Sequence, residues 1–294
     1  MKGSQQIREN VSEVYSRAAC SVSPGSGPCC SPVQKGAVAK LAGYSREELA
    51  SLPQEAVVNS FGCGNPLAFG EVKEGDTVLD LGSGAGIDVL LAAKKVGPSG
   101  RAIGIDMTDE MIAKAKENIA ASGLTNVEVR KGLIEELPVD SESVDWVISN
   151  CVINLSPEKP KVFAEIARVL KPGGRMLVSD IVVTDLPAWV REDAALYSSC
   201  VAGAISEDEY VGGLRGAGLV DVEVRERLVY DETQLRGFIE TELREGDAFL
   251  PATSGTGAGR CGSTAPEPLR HDLAGVMAGK IWSAKVFARK PGAS

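Results

Sequence analysis

The sequence predicts a doubly wound α/β fold on a mostly parallel, seven-stranded sheet, with a cysteine-bearing N-terminal arm and C-terminal additions. Three observations predict it. From Gly75 onward strand-like and helix-like apolar runs alternate; a glycine-rich turn follows the first strand and opens a helix; and an acidic residue, Asp106, ends the second strand.

Residues 1–70 are polar and read as an arm or lid. The loop-like SVSPGSGPCCSP precedes a helical pattern over Gln34–Leu41, and SREEL then starts a capped helix, with Ser45 at the cap and Glu48 three residues on. The core spans 71–230. TVLDLG, GIDVLLAAKKV, RAIGIDM and DEMIAKAKENIAASG give strand, helix, strand, helix. NVEVRKG is the third strand, ELPVDSES a linker, VDWVISN the fourth strand, KPKVFAEIARVL a helix, KPGGR a turn and MLVSDIVV the fifth strand. An insertion near 184–210 precedes the helix EDEYVGGLRGAG and the strand VDVEVRERLVY. Residues 231–294 add a loop rich in Gly, Pro, Ser and Thr at 251–268 and a last strand, Ile281–Lys290.

Composition bounds the function. A net charge of -9 disfavours nucleic acid, because neutralising phosphates needs clustered Lys and Arg. No apolar run is long enough to span a membrane, and the N-terminus lacks the apolar stretch of a signal peptide, so the expected location is the cytoplasm. Seven cysteines, an odd number, do not read as a secreted disulfide framework, and one histidine, His271, leaves no scope for a multi-histidine metal site.

Gly82, Gly84 and Gly86 in DLGSGAG let backbone approach a ligand at the carboxyl edge of the sheet, where Asp106 in AIGIDM is placed for ribose hydroxyls. GSGAG after Asp80 lacks the full spacing of a nicotinamide fingerprint. VLDLGSGAG, GIDMT and LKPGGR resemble, in order and spacing, the motifs of class I S-adenosylmethionine-dependent methyltransferases over Val72–Tyr230. The resemblance implies that Asp80, Gly82 and Gly84 sit by the methionine part, Asp106 and Met107 by the ribose, and Ile134 and Glu135 by the adenine, with Asn150 also in the cofactor site. For Glu135 a solvated loop face is the other reading. A redox enzyme or a binding module on the same sheet is the alternative to a methyltransferase.

The cysteines contain no CxxC pair, which argues against structural zinc. Cys151 directly follows the fourth strand at the ligand-binding edge, Cys63 lies on a bend between glycines, and Cys200 lies in the insertion over the same edge. Three converging thiols without imidazole suit a soft, thiophilic trivalent acceptor. GCGNPLAFGEVKEGDTVLDLGSGAGIDVLLAA, SNCVINLSPEK and VLKPGGRMLVSDIV resemble arsenite S-adenosylmethionine methyltransferases over Asn59–Leu219. That resemblance implies that Cys63, Cys151 and Cys200 bind As(III), and that Cys30, or else Cys29, pairs with Cys63 during turnover. A glutathione- or thioredoxin-type thiol reductant would then regenerate the dithiol. Cys261 is either idle or a capture thiol. The rival functions are methylation of a small organic acceptor, which would want an aromatic-lined pocket, and non-catalytic metalloid binding, which would not need the cofactor motifs.

Overall fold

A computed structural model of the chain describes residues 3–20, 47, 49, 51–53, 71–198, 200–233, 235 and 273–293. The helix expected over Gln34–Leu41, the capped start at Ser45 and the loop at 251–268 lie outside them.

The described chain begins with α1 (Ser4–Cys20). The core follows as β1 (Thr77–Leu81), α2 (Ile87–Val96), β2 (Arg101–Asp106), α3 (Asp109–Ser122), β3 (Val127–Lys131) and β4 (Val144–Asn150). A 3-10 turn (Ile153–Leu155) leads to α4 (Lys159–Val169), β5 (Leu170–Val183), and two short helices, α5 (Ala188–Glu192) and α6 (Ala194–Ser198). The chain continues through α7 (Glu207–Gly216), β6 (Val220–Val229), α8 (Leu273–Met277) and β7 (Ile281–Arg289). No described helix is long and apolar enough to cross a membrane.

The strands form one seven-stranded sheet in the order β3-β2-β1-β4-β5-β7-β6. The first five pair in parallel, and β7 runs antiparallel between β5 and β6. The order reverses direction at β1 and β4, and a doubly wound sheet opens its ligand crevice at such a switch.

Both faces of the sheet's central strands are covered because both of those faces are apolar. Leu79, Ile103, Ile105 and Val147 pack on one side with Phe163 and Ile166 of α4. Val78, Ala102, Trp146 and Ile148 pack on the other with Val89, Leu90 and Ala93 of α2. Successive strand residues point to opposite faces, so a run such as Val78-Leu79 serves both layers.

The KPGGR segment, expected as a turn, is absorbed into β5. It keeps an excursion: between the Val144–Leu170 and Trp146–Arg175 pairs β4 advances two residues and β5 advances five. The backbone N–H of Gly173, at φ +78°, donates to the carbonyl of Lys290 at 3.1 Å, tying the bulge to the strand end beyond β7.

The 184–210 insertion folds as a cap over the carboxyl edge. Its apolar cluster joins Ile181 and Val183 of β5 to Val190, Leu196 and Val201, with Ala274 and Met277 of α8 closing it. Helix α7 starts at a capping box: Ser206 Oγ accepts from the Glu209 N–H at 3.2 Å, and Glu209 accepts from the Ser206 N–H at 2.8 Å.

Candidate functional site

The glycine turn between β1 and α2 has the conformation its sequence demands. Gly82 sits at φ +66°, and a Cβ there would lie 2.5 Å from the methyls of Val152, so neither the torsion nor the space admits a side chain. Asp106, at the end of β2, locks the turn to the neighbouring strand. Its Oδ2 accepts from the Gly84 N–H at 2.9 Å and its Oδ1 from the Thr108 N–H at 2.8 Å. Burial pushes the Asp106 carboxyl above its ordinary value, against the pull of those two N–H groups. Each oxygen keeps a further lone pair for a ligand hydroxyl.

Asp80 is buried behind the turn, where it accepts from the Val89 N–H at the start of α2. Burial, then Asp88 and Asp106, raise its pKa well above the carboxylate range. Its Oδ2 and the Oγ of Ser83 are buried without a hydrogen-bond partner. Such orphaned polar groups are costly unless a ligand pairs with them.

A cleft of about 930 Å³, counted to its open mouth, lies along this edge. Gly82, Gly84, Asp106, Met107, Ile134, Glu135, Asn150 and Cys151 all line it. The expected cofactor residues are therefore brought together, with one difference: Asp88, not Asp80, is on the wall, and Asn150 Nδ2 donates to Asp88 Oδ2 at 3.2 Å. Glu135 is not a solvated loop residue. Its side chain is 6% exposed and accepts from Ser156 Oγ at 2.7 Å and from Arg8 Nε at 3.2 Å.

Cys151 leaves β4 in the left-handed region, at φ +58°, and Cys200 holds φ +65° in the cap. Positive φ is uncommon for a residue with a Cβ and costs on the order of 1–3 kcal/mol, so the surrounding packing must hold both. Both are buried in the cap cluster. Cys200 Sγ donates to the carbonyl of Cys151 at 2.6 Å, while the Cys151 N–H donates to the carbonyl of Ser179 at 2.8 Å. The Cys151 sulfur is in a disulfide, and Cys200 is a thiol. Of the expected thiols, Cys151 thus lines the cleft and Cys200 adjoins it from the cap; Cys29, Cys30, Cys63 and Cys261, with His271, lie outside the described residues. Among the described residues no three His, Cys, Asp or Glu side chains form a cation site.

Beneath the two cysteines lies a buried polar network. Asn154 Nδ2 donates to Asp180 Oδ1 at 2.8 Å and to the carbonyl of Ile181 at 2.6 Å, and Tyr210 Oη donates to Asp180 Oδ2 at 3.4 Å. Lys159 Nζ donates to the carbonyls of Asn154 and Ser156 at 3.2 and 2.9 Å. Burial lifts the Asp180 carboxyl to about 7 and lowers the Lys159 ammonium to about 8. Gly203 crosses so near that a Cβ there would sit 2.1 Å from the carbonyl oxygen of Asn154. The segment carrying Cys200 is thereby registered on the segment that follows Cys151.

The sequence reading missed two groups. Arg8, Val11 and Tyr15 of α1 line the cleft, and their signal is present: Ile7, Val11, Val14, Tyr15 and Ala19 recur at helical spacing in a polar stretch. Asp180 is the other, a lone carboxylate inside the apolar run MLVSDIVV.

Residues 72–218 match the family described as "Methyltransferase domain". The chain is similar to the arsenite methyltransferase of Halobacterium salinarum, 46% identical over 231 residues, covering 75% of this chain and 59% of that protein. It is also similar to the arsenite methyltransferase of Mus musculus, 38% identical over 172 residues, 55% of this chain and 45% of that one. The chain thus spans between about two fifths and three fifths of these relatives' length. Among solved structures it resembles an arsenic(III) S-adenosylmethionine methyltransferase from Chlamydomonas reinhardtii, with TM-score 0.62 and 32% identity, covering 84% of this chain and 72% of that one.

Proposed function

The chain belongs to the methyltransferase-domain family, and from that premise we propose that it methylates trivalent arsenic held by cysteine sulfur, with S-adenosylmethionine as methyl donor. The observation that carries the acceptor is the contact of Cys200 with Cys151, a sulfur and a carbonyl 2.6 Å apart, where Cys151 lines the cleft.

The residues fit the donor. Gly82 has no room for a Cβ, Asp106 offers two carboxylate oxygens at the end of β2, and Asp80 and Ser83 present orphaned polar atoms beneath the turn. Bound there, S-adenosylmethionine supplies an electrophilic methyl on a sulfonium. Asp106 would hold the ribose hydroxyls, Asp80, Gly82, Gly84 and Asn150 would serve the methionine part, and Ile134 with Met107 would give the apolar walls.

Arsenic(III) on sulfur ligands keeps its lone pair. The acceptor therefore has no proton to lose, and the chain needs no general base; a site without imidazole is sufficient. The work of the residues is to bind arsenic through thiolates, orient it and exclude water, which the cap around Cys151 and Cys200 does. Methylation leaves arsenic two electrons more oxidised. Cys63 with Cys30 or Cys29 would return them, becoming a disulfide that a glutathione- or thioredoxin-type reductant reopens in the cytoplasm. The Cys151 disulfide must likewise be reduced before that sulfur can ligate. Removal of toxic arsenite is the physiological role consistent with this chemistry.

The test is to incubate the full chain with labelled S-adenosylmethionine, arsenite and a dithiol, then speciate the arsenic. Methylated arsenic that requires all four components supports the proposal. Arsenite binding without turnover makes the protein a metalloid buffer, and turnover only on an organic acceptor makes it a different methyltransferase.

A further inference from the structure

Helix α1 presents Arg8, Val11 and Tyr15 to the cleft, a spacing of three and then four residues that puts all three on one face. The opposite wall is the turn and the end of β2. The same face reaches past the cleft. Arg8 bonds Glu135 at 3.2 Å and also pairs with Glu158, just ahead of α4; Ser16 Oγ donates to Glu110 of α3 at 2.6 Å. Tyr15 Oη donates to the carbonyl of Ser198 at 3.3 Å. Ser198 ends α6, two residues before Cys200, whose N–H donates to the carbonyl of Tyr197 at 3.1 Å.

We propose that α1 is a latch that couples the cofactor cleft to the Cys200 segment, with Arg8 fastening it over the cleft and Tyr15 a positioning residue for Cys200. A cofactor filling the cleft touches both walls, and contact with the α1 wall exists only while α1 is docked. Cofactor binding therefore favours the docked state by the free energy of those contacts. Docking sets the Ser198 carbonyl through Tyr15, and with it the segment that carries the thiol. The coupling is reciprocal: whatever orders the Cys200 segment tightens the cofactor.

Helix α1 is suited to move. Its mean composition is polar and its attachments are largely ion pairs and hydrogen bonds, with Val11 and Ala19 as its buried apolar contacts. Elements held in this way open more readily than the sheet core.

The proposal rests on the methyltransferase reading for its ligand, and its test involves no arsenic. Two measurements use the reduced full chain. The first is the affinity for S-adenosylhomocysteine by titration calorimetry. Arg8→Ala is expected to weaken it about tenfold, and Arg8→Lys, which keeps one charge, less. The second is the rate at which iodoacetamide labels Cys200, read by peptide mass, with and without saturating S-adenosylhomocysteine. A buried thiol reacts through local opening, so the wild-type chain is expected to be protected about fivefold or more. Tyr15→Phe, measured at S-adenosylhomocysteine concentrations that saturate the variant, is expected to lose the protection, since the phenolic bond to Ser198 is removed. Undiminished protection in Tyr15→Phe, or unchanged affinity in an Arg8→Ala chain with a native circular dichroism spectrum, overturns the latch. If the arsenic assay fails while protection appears, the acceptor proposal falls and the latch stands; methylation without protection has the opposite meaning.

Discussion

The thiol of Cys200 donates to the carbonyl of Cys151 at 2.6 Å, and both residues hold left-handed backbone torsions, +58° and +65°, inside one apolar cluster. Two residues distant in sequence are thus fixed to each other through backbone that neither would choose in isolation. That is the arrangement expected where geometry matters more than local stability.

The first prediction uses that contact. In Cys200→Ser a hydroxyl can make the same hydrogen bond, so the fold and S-adenosylhomocysteine affinity should stay near wild type. Arsenite affinity and methylation should fall by about two orders of magnitude or more, because a soft ligand is lost. Arsenic speciation beside cofactor titration checks it, and full activity in the serine chain would falsify the thiolate site.

Asp106 ties Gly84 to Thr108 and offers its remaining lone pairs to the cleft. Asp106→Asn should raise the KM for S-adenosylmethionine about 10- to 100-fold, the range for losing hydrogen bonds to a charged acceptor. Steady-state kinetics at saturating acceptor isolates that effect.

Gly82 and Gly84 separate torsion from space. Gly82→Ala meets Val152 at 2.5 Å as well as positive φ, whereas a Cβ on Gly84, at φ +50°, meets nothing within 4 Å. Urea denaturation should find Gly82→Ala destabilised by about 2–4 kcal/mol and Gly84→Ala by about 1–2. Equal losses in the two would mean that Val152 yields freely.

Asp180 and Lys159 predict a pH dependence of stability. The folded chain keeps a proton on Asp180 up to about 7, where the ordinary carboxyl value is 3.8. The unfolded chain releases that proton earlier, so this contribution is present below about pH 4 and is lost as pH rises toward 7, at up to about 1.4 kcal/mol per pH unit. Lys159 works on the other side: its folded value of about 8 lies below the ordinary 10.5, so its contribution returns between those values. Subtracting the urea-unfolding curve of Asp180→Asn from wild type should leave a difference that falls between pH 4 and 7. A flat difference excludes the perturbed carboxyl.

The fold was legible where periodicity is strong. From TVLDLG to MLVSDIVV the alternation of apolar runs marks both strands and helices, and burial on both sheet faces explains why the central strands β1, β2, β4 and β5 are mostly apolar while the edge strand β3 is not. The glycine turn, Asp106 and Cys151 were legible because each sits at a strand end, whose position follows from the alternation. Cys200 was harder: its contact with Cys151 depends on how the 184–210 insertion folds back, which no local pattern encodes. Helix α1 was missed because its polar composition hides a narrow apolar stripe. Lys159, Asn154 and Asp180 escaped notice because a buried polar network is a property of three dimensions. Asp80, expected by the methionine part of a cofactor, lies behind the turn, where its carboxyl accepts from the Val89 N–H of α2 and the cleft wall in front of it is formed by Asp88.

Strand β7 lies between β5 and β6 although it follows both in the chain. During synthesis, then, β6 emerges with no strand to join, and β5 keeps an open edge until residues 281–289 have left the ribosome. The nascent domain waits through the whole 230–280 stretch with two unpaired edges, a state prone to association with other chains. A stop codon ahead of Ile281 would therefore harm more than the segment it deletes: it would leave a sticky half-sheet for chaperones and proteases to clear.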